Sequence, residues 1–517
     1  MLKKILLLLL ASLTLFFNSQ TAFAHYKLVS SNLSETNSGN SYSVNPFQSS
    51  DGRYVVFRSN ATNLLPNSNS PYGQIYVRDL ETGNLELVSV NYSQTGASNY
   101  HSWIGRISAD GRHVVFLSAA TDLVKSTSGI RQSDSQYRIF VRNLETGTTY
   151  LIPPPVFNGT RNGNLLYQNL IVGGPLISSN GRFVVYNIEI LKSRVRFPNT
   201  SNLTSQKGSL ESRVYVWDRE TGQSKLVSTN LPLRFDVNIY SNFKAMTPDG
   251  RFIVFSNSSS ELSPVTSPFV GLFVRDMITG EIEPIDVRAS NFKEEFSVGF
   301  VHYATTKISD DGQYVVFQHL SKNLTNIPDN NNVMDIFIHD RIAKTTRLVS
   351  SNYLQTASAD NESELFSMSS NGRFVVFRSK AKDLIQNQPT QHNEDVFVWD
   401  ALTGSKLCVS RDIPNLGTEP NSYFEADISE DGVYVAIGAQ RKPEFIGLSE
   451  VFVFNTFNNQ TRMISNFSKS PTVGSAGILS ISQNGSKLVF QTTSSLLPND
   501  DNNGYSDIYS YSLDKGF

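Results

Sequence analysis

Cysteine is almost missing from this chain of 517 residues, which contains only Cys408. A single cysteine excludes internal disulfides, so buried apolar area and hydrogen bonds have to hold the fold together. The segment around it, "KLCVS", is apolar, and we expect Cys408 to be buried as a small hydrophobic side chain.

Charge is the second scarce feature. Charged side chains make up 17% of the residues, and the formal net charge is −2. Nucleic-acid-binding proteins carry a basic patch or stripe, so this balance argues against a nucleic acid partner. Asn, Ser, Thr, Tyr and Phe are plentiful instead, which favours strands and turns over helices.

Long apolar runs are missing after the N-terminal segment. Residues 1–24 combine two early lysines, an apolar run at 5–17 and "AFA" before His25, which is the pattern of a secretory signal peptide. No cysteine follows that run, so a lipoprotein anchor is not expected, and no later stretch is apolar enough to span a membrane. A retained N-terminal anchor is the alternative. We therefore expect a secreted or periplasmic protein whose mature part, residues 25–517, is one monomeric domain.

Internal repetition is the feature that the chain has in quantity. An Asp-Gly or Asn-Gly pair recurs eight times, with Ser or Thr two residues before it and a β-branched and aromatic run such as "RYVVFRS" after it. Such pairs between apolar runs predict β-hairpins with type I′ turns, in which two residues have positive φ. The first residues of the pairs are Asp51, Asp110, Asn180, Asp249, Asp311, Asn371, Asp431 and Asn484.

Each repeat continues with a third run such as "IYVRD" and a fourth such as "LELVSV", usually joined by a Thr-Gly turn. A repeat is therefore a four-stranded antiparallel meander. One meander cannot bury both of its faces, whereas eight around an axis can, so the sequence predicts an all-β, eight-bladed β-propeller. The alternatives are a solenoid, which needs capping units, and a seven-bladed ring with one repeat outside it.

The last repeat ends after its third run, "IYSYS", and lacks a fourth. A copy of the fourth run, "YKLVSSN" at residues 26–32, stands at the start of the mature chain instead. We expect this segment to pair with the third strand of the last blade and to close the ring, because closure removes an open sheet edge.

The repeat "SSDGRYVVFRSNATNLLPN…IYVRDLETGNLELVSV" resembles the TolB-like, WD-repeat-like propeller repeats of exported bacterial proteins over nearly the whole mature chain. The resemblance implies that the first strand of each blade lines an axial channel. TolB proteins also have an extra N-terminal domain before a shorter propeller, whereas here only about ten residues separate the segment 26–32 from the first repeat. This difference argues against a role in the Tol–Pal system. The propellers of prolyl oligopeptidase-type enzymes are similar too, but the chain has no G-x-S-x-G nucleophile motif.

The longest insertions are 124–137, 153–170 and 188–212, in the second and third repeats, and we expect exposed loops there. In the implied propeller, the loops that lead into the first strands form one rim of the channel. Their aromatic and ionisable side chains suit a sugar- or peptide-binding rim, although polar and aromatic rims also occur without a ligand. The candidates are Tyr42, Tyr100, His101, Trp103, Tyr240, His302, Glu362, Glu364 and Tyr423.

Two pairs of carboxylates have the spacing of a general acid and base. Glu362 and Glu364 share one face of a strand, and Glu425 and Asp427 do the same. Pairs of this kind are more often solvated or structural.

Two loops have the spacing D-x-N-x-x-x-D directly before a third strand. Oxygen ligands at alternating positions suit Ca²⁺, although Asp and Asn also favour turns. Structural calcium is therefore the only cofactor considered. The candidate ligands are Asp329, Asn331 and Asp335 in one loop and Asp501, Asn503 and Asp507 in the other.

These features favour an exported, non-catalytic propeller that binds a protein or peptide partner, or a glycan, on its rim. One alternative is a carbohydrate-active or other hydrolytic enzyme that uses rim carboxylates, whose turnover would be lost in Glu362→Gln or Glu364→Gln. The other is a purely structural envelope protein.

Overall fold

The computed structural model describes residues 25–125, 136–155, 165–194, 209–228, 240–258, 271–286, 305–320, 324–388, 393–413, 423–440, 449–465, 476–493, 495–497 and 503–513. The predicted signal peptide, residues 1–24, lies outside these ranges. Within them, no helix has the length and apolar character needed to cross a membrane.

The strands form eight four-stranded antiparallel sheets, which are the blades of an eight-bladed propeller. Blade 1 holds β2 to β5, and each later blade takes the next four strands. Blades 1 to 4 consist of β2 Ser43–Gln48, β3 Tyr54–Ser59, β4 Gln74–Asp79, β5 Leu85–Leu87, β6 Ser102–Ile107, β7 His113–Ser118, β8 Arg138–Asn143, β9 Thr148–Leu151, β10 Leu165–Ile177, β11 Phe183–Arg194, β12 Ser209–Asp218, β13 Gln223–Leu226, β14 Ser241–Met246, β15 Phe252–Asn257, β16 Gly271–Asp276 and β17 Ile282–Pro284.

The second half of the ring follows the same plan. Its last blade is completed by β1, Tyr26–Leu28, from the start of the described chain. Blades 5 to 8 consist of β18 Thr306–Ile308, β19 Tyr314–His319, β20 Asp335–Asp340, β21 Thr345–Leu348, β22 Ser363–Met368, β23 Phe374–Ser379, β24 Asp395–Asp400, β25 Lys406–Cys408, β26 Tyr423–Ile428, β27 Tyr434–Gln440, β28 Ser449–Asn455, β29 Gln460–Met463, β30 Ala476–Ile481, β31 Lys487–Thr492 and β32 Asp507–Ser512.

The predicted hairpins are confirmed, but their turn type is not I′. In blade 1, the Gly52 N–H bonds to the Ser49 carbonyl (2.9 Å), and Gly52 has φ 72° while Asp51 is not among the residues with positive φ. The Asp51 carboxylate instead accepts the Ser49 hydroxyl and the Arg53 N–H (2.5 and 2.9 Å). Only the glycine therefore needs the left-handed conformation, and the Asp or Asn before it acts through its side chain.

Aromatic pairs stack across the second and third strands of seven blades. In blade 1, Phe57 lies opposite Tyr76 with ring centroids 5.8 Å apart. Pairs of this kind stabilise neighbouring strands and fill the space between blades. The other six pairs are Phe116–Phe140, Tyr186–Tyr215, Phe255–Phe273, Phe317–Phe337, Phe377–Phe397 and Phe490–Tyr509.

The apolar core consists of eight clusters, one between each pair of neighbouring blades. The cluster that joins blade 8 to blade 1 contains Val489 and Ile508 together with Val55 and Phe57. The ring is therefore closed by packing as well as by strand pairing. Cys408 is 2% exposed within this core, as expected.

The closing strand is confirmed, and it is shorter than the segment 26–32. Tyr26 pairs with Tyr511, and Leu28 pairs with Tyr509 in β32. The Val29 N–H also bonds to the Ile508 carbonyl (2.8 Å). The described residues thus contain all eight blades, which removes the alternatives of a solenoid and of a seven-bladed ring.

The insertion at 188–212 was expected to be an exposed loop, and that expectation is wrong for much of it. Strands β11 and β12 extend through this segment, with Lys192 paired to Ser209. Longer ladders satisfy the backbone groups that a loop would expose to water. Residues 195–208 lie outside the described residues.

Candidate functional site

The first strand of each blade lies at one edge of its sheet and contacts the first strands of neighbouring blades, so these strands surround the axial channel. Eight of their residues occupy the same register position, opposite the second Val of the "VV" run or its equivalent, and therefore form one level of the channel wall. This level consists of Phe47, Arg106, Leu176, Ala245, Lys307, Ser367, Asp427 and Ser480.

Seven of the eight first strands contain a register shift just before this level. In β14 the shift lies between Phe243 and Ala245, which leaves Lys244 outside the regular ladder. In β26 it lies between Tyr423 and Glu425. Such bulges change the direction of side chains, and here they stand next to the axial channel.

The predicted pair Glu425 and Asp427 lies on one face of β26 and reaches the first strand of blade 8. Glu425 Oε2 accepts the Leu479 N–H (3.0 Å), and Asp427 Oδ2 accepts the Ile481 N–H (3.0 Å). The Ser367 hydroxyl donates to Asp427 Oδ1 (2.8 Å) from the other side. The two carboxylates therefore bridge three blades at the channel wall.

Glu425 is half-buried, and burial raises the pKa of its carboxyl group to about 7. The neighbouring Asp427 charge raises this pKa further, whereas the Leu479 N–H and the Lys307 ammonium lower it. Burial also lowers the pKa of Lys244 to about 8. A carboxyl group with a pKa near neutrality can both give and accept a proton at physiological pH.

The end of the channel beside the Asp-Gly and Asn-Gly turns is narrow, and we call it the turn face. Gln483 of blade 8 donates from Nε2 to Asp310 Oδ2 of blade 5 (3.4 Å) and so reaches across the axis. A cavity of about 230 Å³ lies beside this contact, lined by serines and by Ile107, Ile177 and Met246. The opposite end, which carries the loops into the first strands, is called the loop face.

Four of the predicted rim residues come together on the loop face, between blades 1 and 2. The Arg58 guanidinium lies 3.9 Å from the Trp103 ring and 5.6 Å from the Tyr42 ring. Tyr100 contacts His101, with ring centroids 5.4 Å apart. Trp103 and Tyr100 are 37% and 38% exposed, so this aromatic cluster faces solvent.

The other predicted rim residues do not join this cluster. Glu362 pairs with Lys380, and Glu364 pairs with Arg378 (2.5 Å), so each carboxylate already has a cation. Their expected role as the acid–base pair therefore has less support than that of Glu425 and Asp427. Tyr240 is half-buried, and its N–H bonds to Ser258 in blade 4.

Two rim residues are not fully described. His302 lies outside the described residues. The backbone of Tyr423 begins β26, where it pairs with Ala439, and its side chain is not described.

The first candidate calcium loop is held by hydrogen bonds. Asp329 Oδ1 accepts the Asn331 N–H (3.1 Å), and the Asn331 side-chain amide donates to the Ala359 carbonyl (2.7 Å). Asp335 Oδ1 accepts the Ser350 hydroxyl (2.5 Å). One oxygen, Asp329 Oδ2, is buried and has no hydrogen-bond partner among the described residues.

The second loop repeats this arrangement. The Asn503 amide donates to the Gly39 carbonyl (3.0 Å), and Asp507 accepts the Ser30 hydroxyl (2.8 Å). Asp501 lies outside the described residues. In the described ranges, no group of three or more His, Cys, Asp or Glu side chains is arranged to hold a metal ion. Calcium therefore stays a prediction.

The sequence reasoning missed the cations of the channel, although a signal for them was present. Arg106 and Lys307 both stand two residues before the repeated Ser, at Ser108 and Ser309, and Lys244 stands three before Thr247. Counting back from the turn in every repeat would have aligned Arg106 and Lys307 with Asp427 and placed Lys244 one residue earlier. Arg58 was missed because it follows "VVF", and this run or its equivalent is a strand pattern in every repeat.

No family model matches the chain, and no curated protein matches it either. Solved structures with similar folds include dipeptidyl peptidase 4 from Porphyromonas gingivalis, at 14% identity and a TM-score of 0.46, covering 87% of this chain and 57% of that one. A structure from a study of two prolyl endopeptidases matches with a TM-score of 0.45 and 13% identity, covering 80% of this chain and 48% of that one. The chain thus spans about half the length of these peptidases.

Two other similar structures are matched over almost their whole length. The oligogalacturonate lyase from Vibrio parahaemolyticus has 14% identity and a TM-score of 0.42, and the match covers 92% of this chain and 99% of that one. The β-propeller domain of the Trilobed protease from Pyrococcus furiosus has 13% identity and a TM-score of 0.41, covering 83% and 96%. That domain is described as having an open velcro topology, whereas β1 closes the ring here.

The sequence favoured a non-catalytic binding role. The comparisons contradict it, because the similar propellers belong to peptidases and to a lyase. With 13–14% identity and TM-scores below 0.5, this likeness transfers no activity to the chain. The propeller fold rests on the chain's own eight sheets. The chemistry of this chain has to be argued from its own channel.

Proposed function

We propose that this protein is a carbohydrate-active enzyme that carries out acid–base chemistry in its axial channel, with Glu425 as the proton-transferring group. The observation that carries this proposal is the position of Glu425, half-buried in the channel wall with Asp427 and Lys307 as charged neighbours. Its pKa of about 7 lets it exist in both protonation states at neutral pH. Positioned groups of this kind accelerate proton-transfer steps by about 10²–10⁴-fold.

Asp427 and Lys307 have supporting roles in this proposal. Three donors fix the Asp427 carboxylate, namely Ser367, Ile481 and the N–H of Ile428 (2.8, 3.0 and 3.0 Å). Its negative charge raises the pKa of Glu425, and the Lys307 cation lowers it. Burial has the largest effect on this pKa, and the two charges adjust it.

The aromatic cluster on the loop face supports a carbohydrate substrate. Rings with exposed faces beside a few polar groups are typical of ligand sites, and Tyr100 and Trp103 provide such rings beside the half-buried Tyr42. Because the turn face is narrow, we expect the substrate to enter from the loop face. The end of a sugar chain would then pass these rings before it reaches Glu425. Peptide hydrolysis is the second reaction to be tested.

The test is a turnover assay with the purified mature protein on oligogalacturonate, on neutral oligosaccharides and on peptides. We expect cleavage of one sugar class and a loss of at least about 100-fold in kcat for Glu425→Gln. Glu364→Gln is the matched control, because that carboxylate is 49% exposed and pairs with Arg378 on the rim. Equal losses in both variants, or no turnover on any substrate, would overturn the proposal.

Export and family membership belong to this proposal as well. The pattern of residues 1–24 supports a cleaved secretory signal, and the eight repeats support a TolB-like, WD-repeat-like origin. The working form is then a monomer in the periplasm or outside the cell. N-terminal sequencing of the protein isolated from the cell envelope and from the medium tests this, with His25 as the expected first residue.

A further inference from the structure

Two arginines occupy equivalent positions in different blades, and among the described residues only one of them has acidic partners. Arg58 in blade 1 pairs with Val44 across the sheet, and Arg378 in blade 6 pairs with Glu364. Arg378 bonds to Glu364 (2.5 Å) and lies 3.6 Å from Glu394. Two carboxylates thus neutralise the guanidinium of blade 6.

In blade 1, both acids are replaced by residues without charge. Val44 stands where blade 6 has Glu364, and Gly73 stands where it has Glu394. Arg58 is 2% exposed, and in the described part of the chain its guanidinium makes one hydrogen bond, from Nε to the Ser102 carbonyl (3.2 Å). No acidic side chain among the described residues forms an ion pair with it. A buried cation without a counter-charge costs several kcal/mol.

The surroundings of Arg58 are shaped around its guanidinium group. A Cβ added to Gly73 would lie 2.1 Å from Arg58 Nη2, so only glycine leaves room for the side chain here. The Trp103 ring covers one side of the guanidinium at 3.9 Å. Aromatic faces attract a cation and leave its N–H edge available to an anion.

A second cation without an acidic partner lies in the same interface between blades 1 and 2. The Arg106 guanidinium stacks on the Phe47 ring at 4.1 Å. Its Nε is buried and has no hydrogen-bond partner within the described ranges, and no ion pair to it occurs there. Burial lowers the pKa of Arg106 to about 10.

We propose that the interface between blades 1 and 2 at the loop face is a subsite for a carboxylate of the substrate, with Arg58 as its main partner. The carboxylate takes the place that Glu364 and Glu394 hold around Arg378, and the rings of Tyr42 and Trp103 pack against the sugar that carries it. This inference rests on the proposed function for the kind of substrate, and it assigns an acidic sugar chain.

Binding of a galacturonate trisaccharide, measured by calorimetry on the full mature protein, tests this subsite. The matched ligand is the same trisaccharide with methyl-esterified carboxylates, which keeps its shape and loses its charge. We expect the acidic form to bind at least tenfold more tightly, and Arg58→Met to remove that preference. Arg378→Met should keep it, because Arg378 is already neutralised by its own acids.

Two further variants separate charge from size. Val44→Glu places a carboxylate opposite Arg58, as in blade 6, and we expect it to compete with the ligand and weaken binding at least tenfold. Val44→Gln has nearly the same size without the charge and should bind as the parent does. Thermal unfolding of each variant confirms that it folds. If Arg58→Met does not fold, Arg58→Lys replaces it in the comparison.

Equal affinity for the acidic and esterified trisaccharides would overturn the subsite. The same holds if Arg378→Met behaves like Arg58→Met, or if an acidic peptide binds in place of the sugar. The titrations are done in the Glu425→Gln background, so that turnover does not add to the heat of binding. A failure of the catalytic proposal would appear separately, as unchanged activity in Glu425→Gln.

Discussion

The strand that closes the ring is held by the same side-chain contact as a strand inside a blade. Ser30 donates to Asp507 Oδ1 (2.8 Å) and accepts the Ile508 N–H (3.0 Å). Ser350 in blade 5 makes the same two contacts, with Asp335 (2.5 Å) and with the next N–H along the chain (3.0 Å). If the closing strand is as firmly bound as an internal strand, the two serines should be equally important.

The substitution Ser30→Ala removes one donor and one acceptor from a buried site, since Asp507 is 4% exposed and Ile508 is fully buried. A hydrogen bond to a charged group contributes about 1.5–3 kcal/mol, and a buried N–H without a partner costs about 1–3 kcal/mol. We therefore expect a loss of roughly 2–5 kcal/mol in the free energy of unfolding. Ser350→Ala should show a loss of the same size, because Asp335 is also buried.

Urea denaturation gives this loss as a shift of the midpoint at constant slope. Hydrogen exchange of the peptides that cover β1 and β32 locates it, because amides of a loosened strand exchange faster. Faster exchange in β1 and β32 should appear in Ser30→Ala and not in Ser350→Ala. An unchanged midpoint and unchanged exchange in Ser30→Ala, beside a clear loss in Ser350→Ala, would refute the closure of the ring by β1.

Three further predictions concern the turns, the channel and the calcium loop. Gly222→Ala and Gly432→Ala both place alanine at positive φ (69° and 74°), but the new Cβ meets nothing within 4 Å in the first and lies 2.3 Å from the Phe374 ring in the second. Denaturation should therefore show a loss of about 1–2 kcal/mol for Gly222→Ala and a further 1–3 kcal/mol for Gly432→Ala; equal losses would contradict the packing. Because the pKa of Glu425 is raised from 4.5 to about 7 in the folded protein, this group stabilises the fold fully below pH 4.5, and the stabilisation is lost as the pH rises through about 7. Glu425→Gln should therefore gain stability relative to the parent between these two pH values. A difference that does not change with pH would contradict this. Calcium bound at the loop of Asp329 should raise the melting temperature, and Asp329→Asn should abolish the rise. An unchanged melting temperature of the parent protein with calcium and with chelator would contradict the prediction.

Much of the architecture could be predicted because the repeat is local. A Ser, an Asp or Asn and a Gly fix each hairpin within a few residues, and the following run fixes the second strand. The turn type was wrong, because the pattern does not reveal whether Asp51 acts through its backbone or through its side chain. The insertion at 188–212 was wrong for a related reason, since its polar composition hides paired strands.

The candidate site was predicted only in part. Tyr42, Tyr100, His101 and Trp103 belong to neighbouring repeats, so placing them on one rim was enough to bring them together. Glu364 was a good candidate by spacing alone, and its pairing with Arg378 could not be foreseen. An ion pair depends on which side chains face each other across two strands, and the same position in blade 1 has a valine.

The sequence by itself determined the number of blades, the four strands in each, and the closing strand, because these depend on patterns that recur within about 60 residues. Only the tertiary structure decided where the residues before this channel level lie, since the bulges stand at different positions in different first strands. It also decided that Arg378 has two acids beside it, whereas Arg58 forms no ion pair with any acid in the described ranges. Charge and burial at a site are sums over neighbours from several blades, and no single repeat contains that information.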